Sequence, residues 1–423
     1  MSYSRREFLK AGSASVALAA LSGCATMPGG GPKVVVVGGG YGGATAAKYI
    51  RMWSAGKIDV TLVERDGEFI SCPLSNLVIG GSKRLDDITV PYSGLDRWGV
   101  RRIRDEATAI DPAARTVKLA GGATIPYDRL ILSPGIDFIW DQVPSLTNPA
   151  ARARVLHAWK AGDQTLALRR QLAEMPDGGV FVIHIPKAPY RCPPGPYERA
   201  CQAAYYFSNQ KKKSKVLVLD SNEDIQSKKG LFLAAWNSRY KGYIEYRPNS
   251  VLVDVDVATL TAKLDFDDVK ADVLNVIPPQ RAGAIARQLG MANANARFCQ
   301  VDFLTYASTA QQNIHILGDA IQPAPLMPKS GHMANQHAKV CAAAIIALLT
   351  GYEVNPSPVI ANTCYSYIDD KEVVHVASVH AYDPQTKTMA VVPGGGGLSS
   401  APNVQEGLYA EAWARNIWAD MLM

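Results

Sequence analysis

The sequence has no long run of basic residues, and its most apolar N-terminal stretch is too short to cross a bilayer. The longest basic run is the three lysines Lys211–Lys213, although the formal net charge is +6. Nucleic-acid binding is therefore not expected, because it usually needs basic charge concentrated on one face. The composition, 48% hydrophobic and 19% charged, is that of a globular protein, and 423 residues exceed what one core can hold. Two or three domains are expected.

The N-terminal segment has the pattern of an export signal. Ser4–Lys10 contains the twin arginines Arg5 and Arg6, and the apolar stretch Ala11–Leu21 follows. The small-residue pattern that ends at Cys24 resembles a lipoprotein processing site. Cys24 is then either lipidated, which would tether the mature protein to a membrane, or removed with the signal. We expect a periplasmic protein exported by the twin-arginine route, with membrane contact only through Cys24.

A dinucleotide-binding pattern begins directly after the signal and its linker. The buried strand Lys33–Val37 enters a loop in which Gly38, Gly40 and Gly43 satisfy G-x-G-x-x-G. A helix pattern follows, and then an apolar strand that ends in Glu64. Gly38 makes the turn, Gly40 lets backbone N–H groups approach a pyrophosphate, and Gly43 lets helix and strand pack closely. Glu64 is placed to accept the ribose hydroxyls, so the pattern predicts a dinucleotide site.

Two later segments favour FAD over NAD. The strand and small-residue turn of Tyr127–Gly135 resemble the second conserved turn of flavoproteins with two dinucleotide-binding domains. The apolar strand that begins at Ile314 ends in Gly318-Asp319, and in that superfamily an aspartate at this place holds the flavin ribityl chain. Asp319 is therefore the predicted ribityl ligand, with a simple strand-end turn as the alternative.

The segment between them should hold a second dinucleotide fold, but it lacks the glycines that would bind a second nucleotide. The strand Gly178–Pro186 is followed by Lys187–Pro196, which is rich in proline and has no paired glycines to admit a pyrophosphate. Lys215–Asp220 is the expected next strand. We predict that the domain is retained while nicotinamide binding is lost, so the electron donor is not NAD(P)H.

Seven cysteines are present, and an exported protein is expected to pair some of them. Setting aside Cys24 and Cys72, spacing alone cannot choose among the possible pairs. Cys192 lies in the proline-rich loop and Cys364 follows a proline-rich break, whereas Cys201, Cys299 and Cys341 are expected to pack as small buried residues. Cys72 lies on the loop expected to run toward the isoalloxazine, where it is either attached to the flavin or an unattached pocket thiol.

From Lys33 to the C-terminus the chain resembles the flavoprotein subunit of flavocytochrome c sulfide dehydrogenase. RCPPGPYERA, around Cys192, and NTCYS, around Cys364, are the most specific stretches. The others are KVVVVGGGYGGATAAKYI, CPLSNLVIGG, HAWKAG, NVIPPQRAG, HILGDA, LMPKSGHMANQ and the terminal YAEAWARNIW.

The resemblance implies FAD bound covalently through Cys72 and a redox-active disulfide between Cys192 and Cys364. It also implies a c-type cytochrome subunit that accepts the electrons. This chain has no Cys-x-x-Cys-His motif, so any haem c belongs to that partner. The implied reaction is oxidation of sulfide to elemental sulfur or polysulfide, and no metal site is predicted.

Three further residues receive roles with open alternatives. Glu198 is either a proton-handling carboxylate near the disulfide or a surface acid at a helix start. Lys329 either holds the flavin pyrimidine edge or caps a helix. Trp413 either packs on the flavin pocket or serves the core or an interface.

The predicted fold class is α/β, with two Rossmann-like domains of the glutathione-reductase type and a C-terminal α+β domain. A sulfide:quinone oxidoreductase is the nearest alternative, and it would need an apolar membrane-inserting surface; Leu408–Met423 is amphipathic at best. A redox-inactive flavin-binding assembly subunit is the other alternative. The predicted segments are the signal and linker at 1–32, the FAD-binding domain at 33–150 and 275–354, the second dinucleotide-fold domain at 151–274, and the C-terminal flavin-binding domain at 355–423.

Overall fold

The computed structural model describes residues 30–423. The predicted twin-arginine signal and Cys24 lie outside the described residues, so export and lipidation remain predictions. Within residues 30–423, no helix has both the length and the apolar composition needed to cross a membrane.

The first sheet has five parallel strands, and the strand Lys33–Val37 lies at its centre. Four of the five residues of this strand are buried, because helices and loops cover both faces of a parallel sheet. The helix Tyr41–Trp53 packs against the long helix Gly331–Thr350. This contact joins the two halves of the domain, which are separate in the sequence. The strand order across the sheet is Ile314–Ile316, Arg129–Leu132, Lys33–Val37, Asp59–Glu64 and Arg101–Arg104.

The second sheet has four parallel strands and forms the core of the inserted domain. An antiparallel ribbon of Ile136–Phe138 with Gln280–Ala282 joins the two domains where the chain leaves the first and returns to it. The last strand of the second sheet reaches Val276, two residues beyond the predicted domain limit at 274. The strand order is Ile244–Arg247, Lys215–Asp220, Val180–Ile185 and Val273–Val276.

The C-terminal segment adds an antiparallel sheet and a long final helix. Two long strands, Val359–Tyr367 and Val373–Asp383, pair along their length, and Thr388–Val391 and Gly397–Leu398 pair with the second of them. The final helix Val404–Leu422 buries Ile417, Trp418 and Met421 in the core. The apolar face recognised in the sequence of this helix is thus packed inside the protein.

The remaining elements surround these three sheets. Small antiparallel sheets are formed by Ala107–Asp111, Thr116–Leu119 and Thr124–Pro126, by Leu252–Asp256, Thr261–Leu264 and Asp268–Lys270, and by Glu68–Ile70 with Thr89–Pro91. Other helices are Ser75–Gly80, Pro149–Arg154, Asp163–Glu174, Gly195–Gln210, Lys229–Ser238 and Ala284–Arg287, and 3-10 turns are Leu85–Ile88, Tyr92–Trp98, Trp140–Gln142, Pro144–Thr147, Gln288–Gly290 and Gly318–Ala320. The predicted fold class is confirmed.

Candidate active site

The glycine loop, residues 38–43, has a different steric reason for each glycine of its motif. Gly38 has φ +97°, and a Cβ there would lie 2.4 Å from the Ser133 carbonyl oxygen. A Cβ on Gly43 would lie 1.8 Å from the Gly38 carbonyl oxygen. Gly40 differs, because a Cβ there would meet nothing within 4 Å. Gly38 and Gly43 close the turn onto the sheet, and Gly40 borders open space.

That open space adjoins an uncapped helix N-terminus. The helix Tyr41–Trp53 has no side-chain cap and no acidic residue in its first turn. Its first N–H groups are therefore free to bind an anion, and the helix dipole favours one there. This arrangement fits a dinucleotide pyrophosphate.

Glu64 ends the neighbouring strand, and hydrogen bonds fix its carboxylate. One carboxylate oxygen accepts the Gly39 N–H at 2.5 Å and the other accepts the Asp66 N–H at 2.9 Å. The side chain lines the cavity beside the glycine loop. Its orientation suits an acceptor for ribose hydroxyl groups, the predicted role.

Asp319 and Lys329 lie together on another wall of this cavity. One carboxylate oxygen of Asp319 is buried and has no hydrogen-bond partner among the described residues. The Lys329 ammonium donates to the carbonyl oxygens of Asp319, at 2.9 Å, and Ile321, and it faces the Phe298 ring. Burial lowers the pKa of Lys329 to about 7. An unpartnered buried acceptor fits a hydroxylated ligand such as a ribityl chain.

A single cavity of about 1340 Å³ brings these features together with the cysteines. It lies between the first domain, the second domain and the C-terminal sheet, and its size suits a large cofactor with room for a small substrate. Gly43 is the only predicted site residue that does not line it. The predicted residues that do are Gly38, Gly40, Glu64, Cys72, Cys192, Glu198, Gly318, Asp319, Lys329, Cys364 and Trp413.

Cys72 lies on the loop after the strand Glu68–Ile70 and is half-buried. The Arg191 guanidinium donates to its sulfur at 3.1 Å and also contacts the Trp159 carbonyl oxygen. Burial by itself would lower the pKa of Arg191, but negative charge on Cys72 acts in the opposite direction, and the pKa of Arg191 is raised overall. Arg191 thus fixes the position of this thiol in the cavity wall.

Cys192 is held in the proline loop, residues 187–194. It has φ +55°, and its N–H donates to the Lys329 carbonyl oxygen at 2.8 Å. Gly195 allows the sulfur to fit, since a Cβ at that position would lie 2.9 Å from it. Burial raises the pKa of the Cys192 thiol, and negative charge on Cys364 and Glu198 acts in the same direction.

Cys364 projects from the strand Val359–Tyr367 of the C-terminal sheet into the same cavity. Its nearest polar neighbour is Asn362, whose amide nitrogen lies 3.4 Å from the sulfur. Cys192 and Cys364 line the same cavity, and the disulfide between them remains a prediction.

Glu198 lies in the first turn of the helix Gly195–Gln210 and is buried, so it is not the surface acid that was the alternative. Its carboxylate accepts hydrogen bonds from the Asn76 amide at 2.8 Å and the Tyr367 N–H at 2.9 Å. Burial is the largest effect on its pKa and raises it. A carboxyl group that holds its proton more tightly than usual is suited to proton transfer near the two cysteines.

Trp413 lies on the final helix, with its ring toward the cavity. The ring approaches those of His332 and Tyr365, at centroid distances of 5.7 and 6.2 Å. Its indole N–H is buried and unpaired within residues 30–423. Trp413 is therefore part of the cavity wall.

The place where a second nucleotide would bind is filled by side chains. Asp220, which ends the second strand of the inserted domain, is fully buried and accepts hydrogen bonds from Tyr197 at 2.7 Å and Tyr246 at 3.1 Å. Asn222 occupies its other oxygen at 2.7 Å. The carboxylate at the position that would bind a ribose is thus saturated by the protein itself.

Sequence reasoning missed several residues at the site. Arg199 is buried, and its guanidinium donates to Asn76, Asn275 and the carbonyl oxygens of His157 and Ala158. Arg191, Arg199 and Asn76 lie within the motifs RCPPGPYERA and CPLSN, so those motifs were the available signal. Lys228, which lies behind Cys364, had no such signal.

The fold and the cavity define an oxidoreductase of the type with two dinucleotide-binding domains. The pyridine nucleotide-disulphide oxidoreductase model matches residues 32–177. The model for the central part of the flavoprotein chain of sulfide dehydrogenase [flavocytochrome c] matches residues 165–278, and the flavocytochrome c sulphide dehydrogenase flavin-binding model matches residues 356–422. The chain belongs to the family of the flavocytochrome c sulfide dehydrogenase flavoprotein.

Similar proteins agree with this assignment. The flavoprotein chain of sulfide dehydrogenase from Chlorobaculum thiosulfatiphilum is 56% identical over 46 residues, 11% of this chain and 94% of that sequence. Mitochondrial sulfide:quinone oxidoreductase from Dictyostelium discoideum is 25% identical over 296 residues, 68% of this chain and 65% of that protein's length. The solved sulfide:quinone oxidoreductase of Aquifex aeolicus superposes with a TM-score of 0.74 at 19% identity, covering 92% of this chain and 91% of the other. The last likeness concerns the fold alone.

Proposed function

We propose that the protein oxidises sulfide to zero-valent sulfur through a redox-active pair of Cys192 and Cys364. Electrons pass by way of FAD, linked covalently at Cys72, to a c-type cytochrome subunit. The observation that carries the proposal is that three cysteines from three separate parts of the chain line one cavity beside a dinucleotide-binding loop. Random surface cysteines would not converge in this way.

The residues present fit FAD at both ends of the cavity. The glycine loop and the uncapped helix N-terminus suit the pyrophosphate, and the unpartnered oxygen of Asp319 suits a hydroxyl of the ribityl chain. When bound, FAD supplies an acceptor of two electrons that releases them singly. Cys72, with Arg191 beside its sulfur, is the thiol placed to form the linkage.

The chemistry at the cysteines follows ordinary thiol–disulfide exchange. Hydrosulfide attacks one sulfur of the Cys192–Cys364 disulfide, an S–S bond forms as the old one breaks, and one cysteine leaves as a thiolate while the other carries a persulfide. Release of the outer sulfur as zero-valent sulfur leaves the two cysteines as a thiol and a thiolate, and the disulfide would re-form when bound FAD accepts two electrons from them; the net change is HS⁻ to sulfur, one proton and two electrons. Glu198 is the buried carboxyl group beside this pair that can hold the released proton.

The buried guanidinium groups favour an anionic substrate. Arg191 and Arg199 both line the cavity near Cys72 and Cys192. Positive charge in a secluded cavity raises the local concentration of an anion such as hydrosulfide.

The first experiment tests the flavin linkage. The purified protein and a Cys72→Ser variant are denatured, separated by gel electrophoresis and viewed for flavin fluorescence. Fluorescence should stay with the wild-type band and be absent from the variant, because only a covalent bond survives denaturation. Flavin released from both would contradict the linkage.

A second assay addresses the electron acceptor. Sulfide-dependent reduction of cytochrome c and of a soluble quinone are compared with the same holoenzyme. Faster reduction of the cytochrome is expected. Faster reduction of the quinone would favour the sulfide:quinone oxidoreductase function carried by the Dictyostelium and Aquifex relatives.

The proposed location is the periplasm, after export by the twin-arginine route. The support is the sequence Ser4–Lys10, which lies outside the described residues. Mass analysis of the mature N-terminus from native membranes and periplasm would show whether Cys24 is retained and lipidated.

A further inference from the structure

Lys228 is a buried lysine directly behind the strand that carries Cys364. It precedes the helix Lys229–Ser238 of the second domain, has φ +56° and is 5% exposed. Its ammonium donates to the Cys364 carbonyl oxygen and to Ser366 Oγ, each at 2.8 Å. Both of these acceptors are neutral, so they do not balance its charge.

A buried ammonium group without a counter-charge is unfavourable, because it has lost its hydration. Burial accordingly lowers the pKa of Lys228 to about 8. Negative charge on any of four nearby groups would raise the pKa of Lys228 again. In decreasing order of effect these groups are Cys364, Glu198, Cys192 and Glu406. Burial raises the pKa of Glu198 and of Cys192, whereas hydrogen bonds from Ser399 and His375 outweigh burial and lower the pKa of Glu406.

The same contacts set the position of Cys364 relative to Cys192. Lys228 holds the backbone at Cys364, and Glu198 accepts the Tyr367 N–H three residues later. Gln202 donates to the Tyr367 carbonyl oxygen at 3.2 Å. Contacts from the second domain, which carries Cys192, therefore also position Cys364. The residues of that domain concerned are Cys192, Glu198, Gln202 and Lys228.

We infer that Lys228 is a positioning residue for the redox pair, which fixes the strand at Cys364 and stabilises the reduced pair through its positive charge. The inference rests on the proposed function. Reduction breaks the S–S bond with two electrons, and the charge added to the two sulfurs is met by protons from solvent and by the Lys228 ammonium. Oxidation removes both electrons and re-forms the S–S bond, so the ammonium stabilises only the reduced state.

The test measures the dithiol–disulfide equilibrium of the pair in the holoprotein. The full chain is equilibrated anaerobically in glutathione redox buffers, its thiols are alkylated, and the Cys192 and Cys364 peptides are quantified by mass spectrometry. Lys228→Gln keeps a donor for the Cys364 carbonyl oxygen but removes the charge. It should shift the equilibrium toward the disulfide by at least tenfold, a midpoint potential about 30 mV lower. Lys229→Gln is the matched control, because Lys229 is exposed and pairs with Asp224, and it should leave the equilibrium unchanged.

Lys228→Arg supplies a second readout that does not depend on the folding of the glutamine variant. Arginine keeps the charge but does not lose its proton. Lys228→Arg should therefore keep the wild-type equilibrium at pH 7, whereas Lys228→Gln shifts it toward the disulfide.

The outcomes separate the two proposals. A wild-type equilibrium in Lys228→Gln, or a shift in Lys228→Arg as large as that in Lys228→Gln, would overturn the role of Lys228 alone. If wild-type Cys192 and Cys364 form no disulfide in any buffer, the proposed function fails and this inference fails with it.

Discussion

The two dinucleotide folds of this chain share a scaffold and differ in the loop that follows the first strand. In the first fold the strand Lys33–Val37 leads into the glycine loop, which opens toward the cavity. In the second fold the strand Val180–Ile185 leads into the proline loop, which holds Cys192 instead. The parallel sheets and the following helices are of the same kind, so the loop decides what the scaffold does.

The acid at the end of the next strand differs in the same sense. Glu64 lines the cavity, whereas Asp220 is enclosed by Tyr197, Tyr246 and Asn222. A carboxylate whose lone pairs are already used cannot bind a ribose without breaking buried hydrogen bonds, each costing about 1–3 kcal/mol. In the second fold the loop therefore holds a cysteine, and the acid that would bind a ribose is occupied by the protein's own side chains.

The largest expected effect comes from the proline loop. Cys192→Ser, or Cys364→Ser in the facing strand, should lower sulfide oxidation by about 1000-fold, because serine cannot form the disulfide that we propose as the target of sulfide. Flavin content should stay at the wild-type level, since neither residue belongs to the glycine loop. Sulfide-dependent acceptor reduction, normalised to bound flavin, measures the change.

Cys201→Ser is the matched control for both variants. Cys201 is buried on the helix that follows the proline loop, and its sulfur accepts the Trp236 N–H, which a hydroxyl can also do. The sulfide oxidation activity of Cys201→Ser, normalised to bound flavin, should stay near that of the wild type. Full activity in Cys192→Ser would remove the redox role from the proline loop and with it the contrast between the two folds.

The next effect is expected in the glycine loop, where two neighbouring glycines should respond differently. Gly43→Ala should destabilise the fold by about 3 kcal/mol or more, because its Cβ would overlap the Gly38 carbonyl oxygen. Gly40→Ala should keep the stability of the flavin-free protein and lose flavin occupancy, because its Cβ enters only the open space. Thermal unfolding and flavin content per chain distinguish the two results. Equal loss of stability in both variants would show that the loop is constrained by packing throughout.

Much of this contrast could be predicted from the sequence. The strand Lys33–Val37 and the strand Lys215–Asp220 match their predicted limits, because apolar runs bounded by glycine or polar residues are strong local signals. The glycine motif predicted the loop that binds the first nucleotide, and the lack of paired glycines in Lys187–Pro196 predicted a loop of a different kind. The predicted site residues, Gly43 excepted, line a single cavity.

The remainder depends on long-range packing, which a sequence pattern does not record. Arg191 reaches Cys72, 119 positions earlier in the chain, and Lys228 reaches Cys364, 136 positions later. Lys228 follows Ser227 and precedes Lys229 in a polar stretch that reads as solvated surface. The burial of Asp220 under two tyrosines likewise depends on three separate elements. Such groups become visible only when the sheets are assembled.

The smallest expected effect concerns Lys329, a buried lysine of the first dinucleotide fold. Lys329 has a pKa of about 7 in the folded protein, against a usual value of 10.5, because burial disfavours its charge. Between these values the unfolded chain binds more protons than the folded protein, so raising the pH stabilises the fold. The flavin-free protein should therefore gain up to about 2 kcal/mol from Lys329 between pH 7 and 9, and Lys329→Met should lack this gain. Lys339→Met is the control, since Lys339 is partly exposed and paired with Asp420. Chemical denaturation at both pH values measures the difference, and an equal pH dependence in wild type and Lys329→Met would mean that the ammonium is not destabilised by its burial.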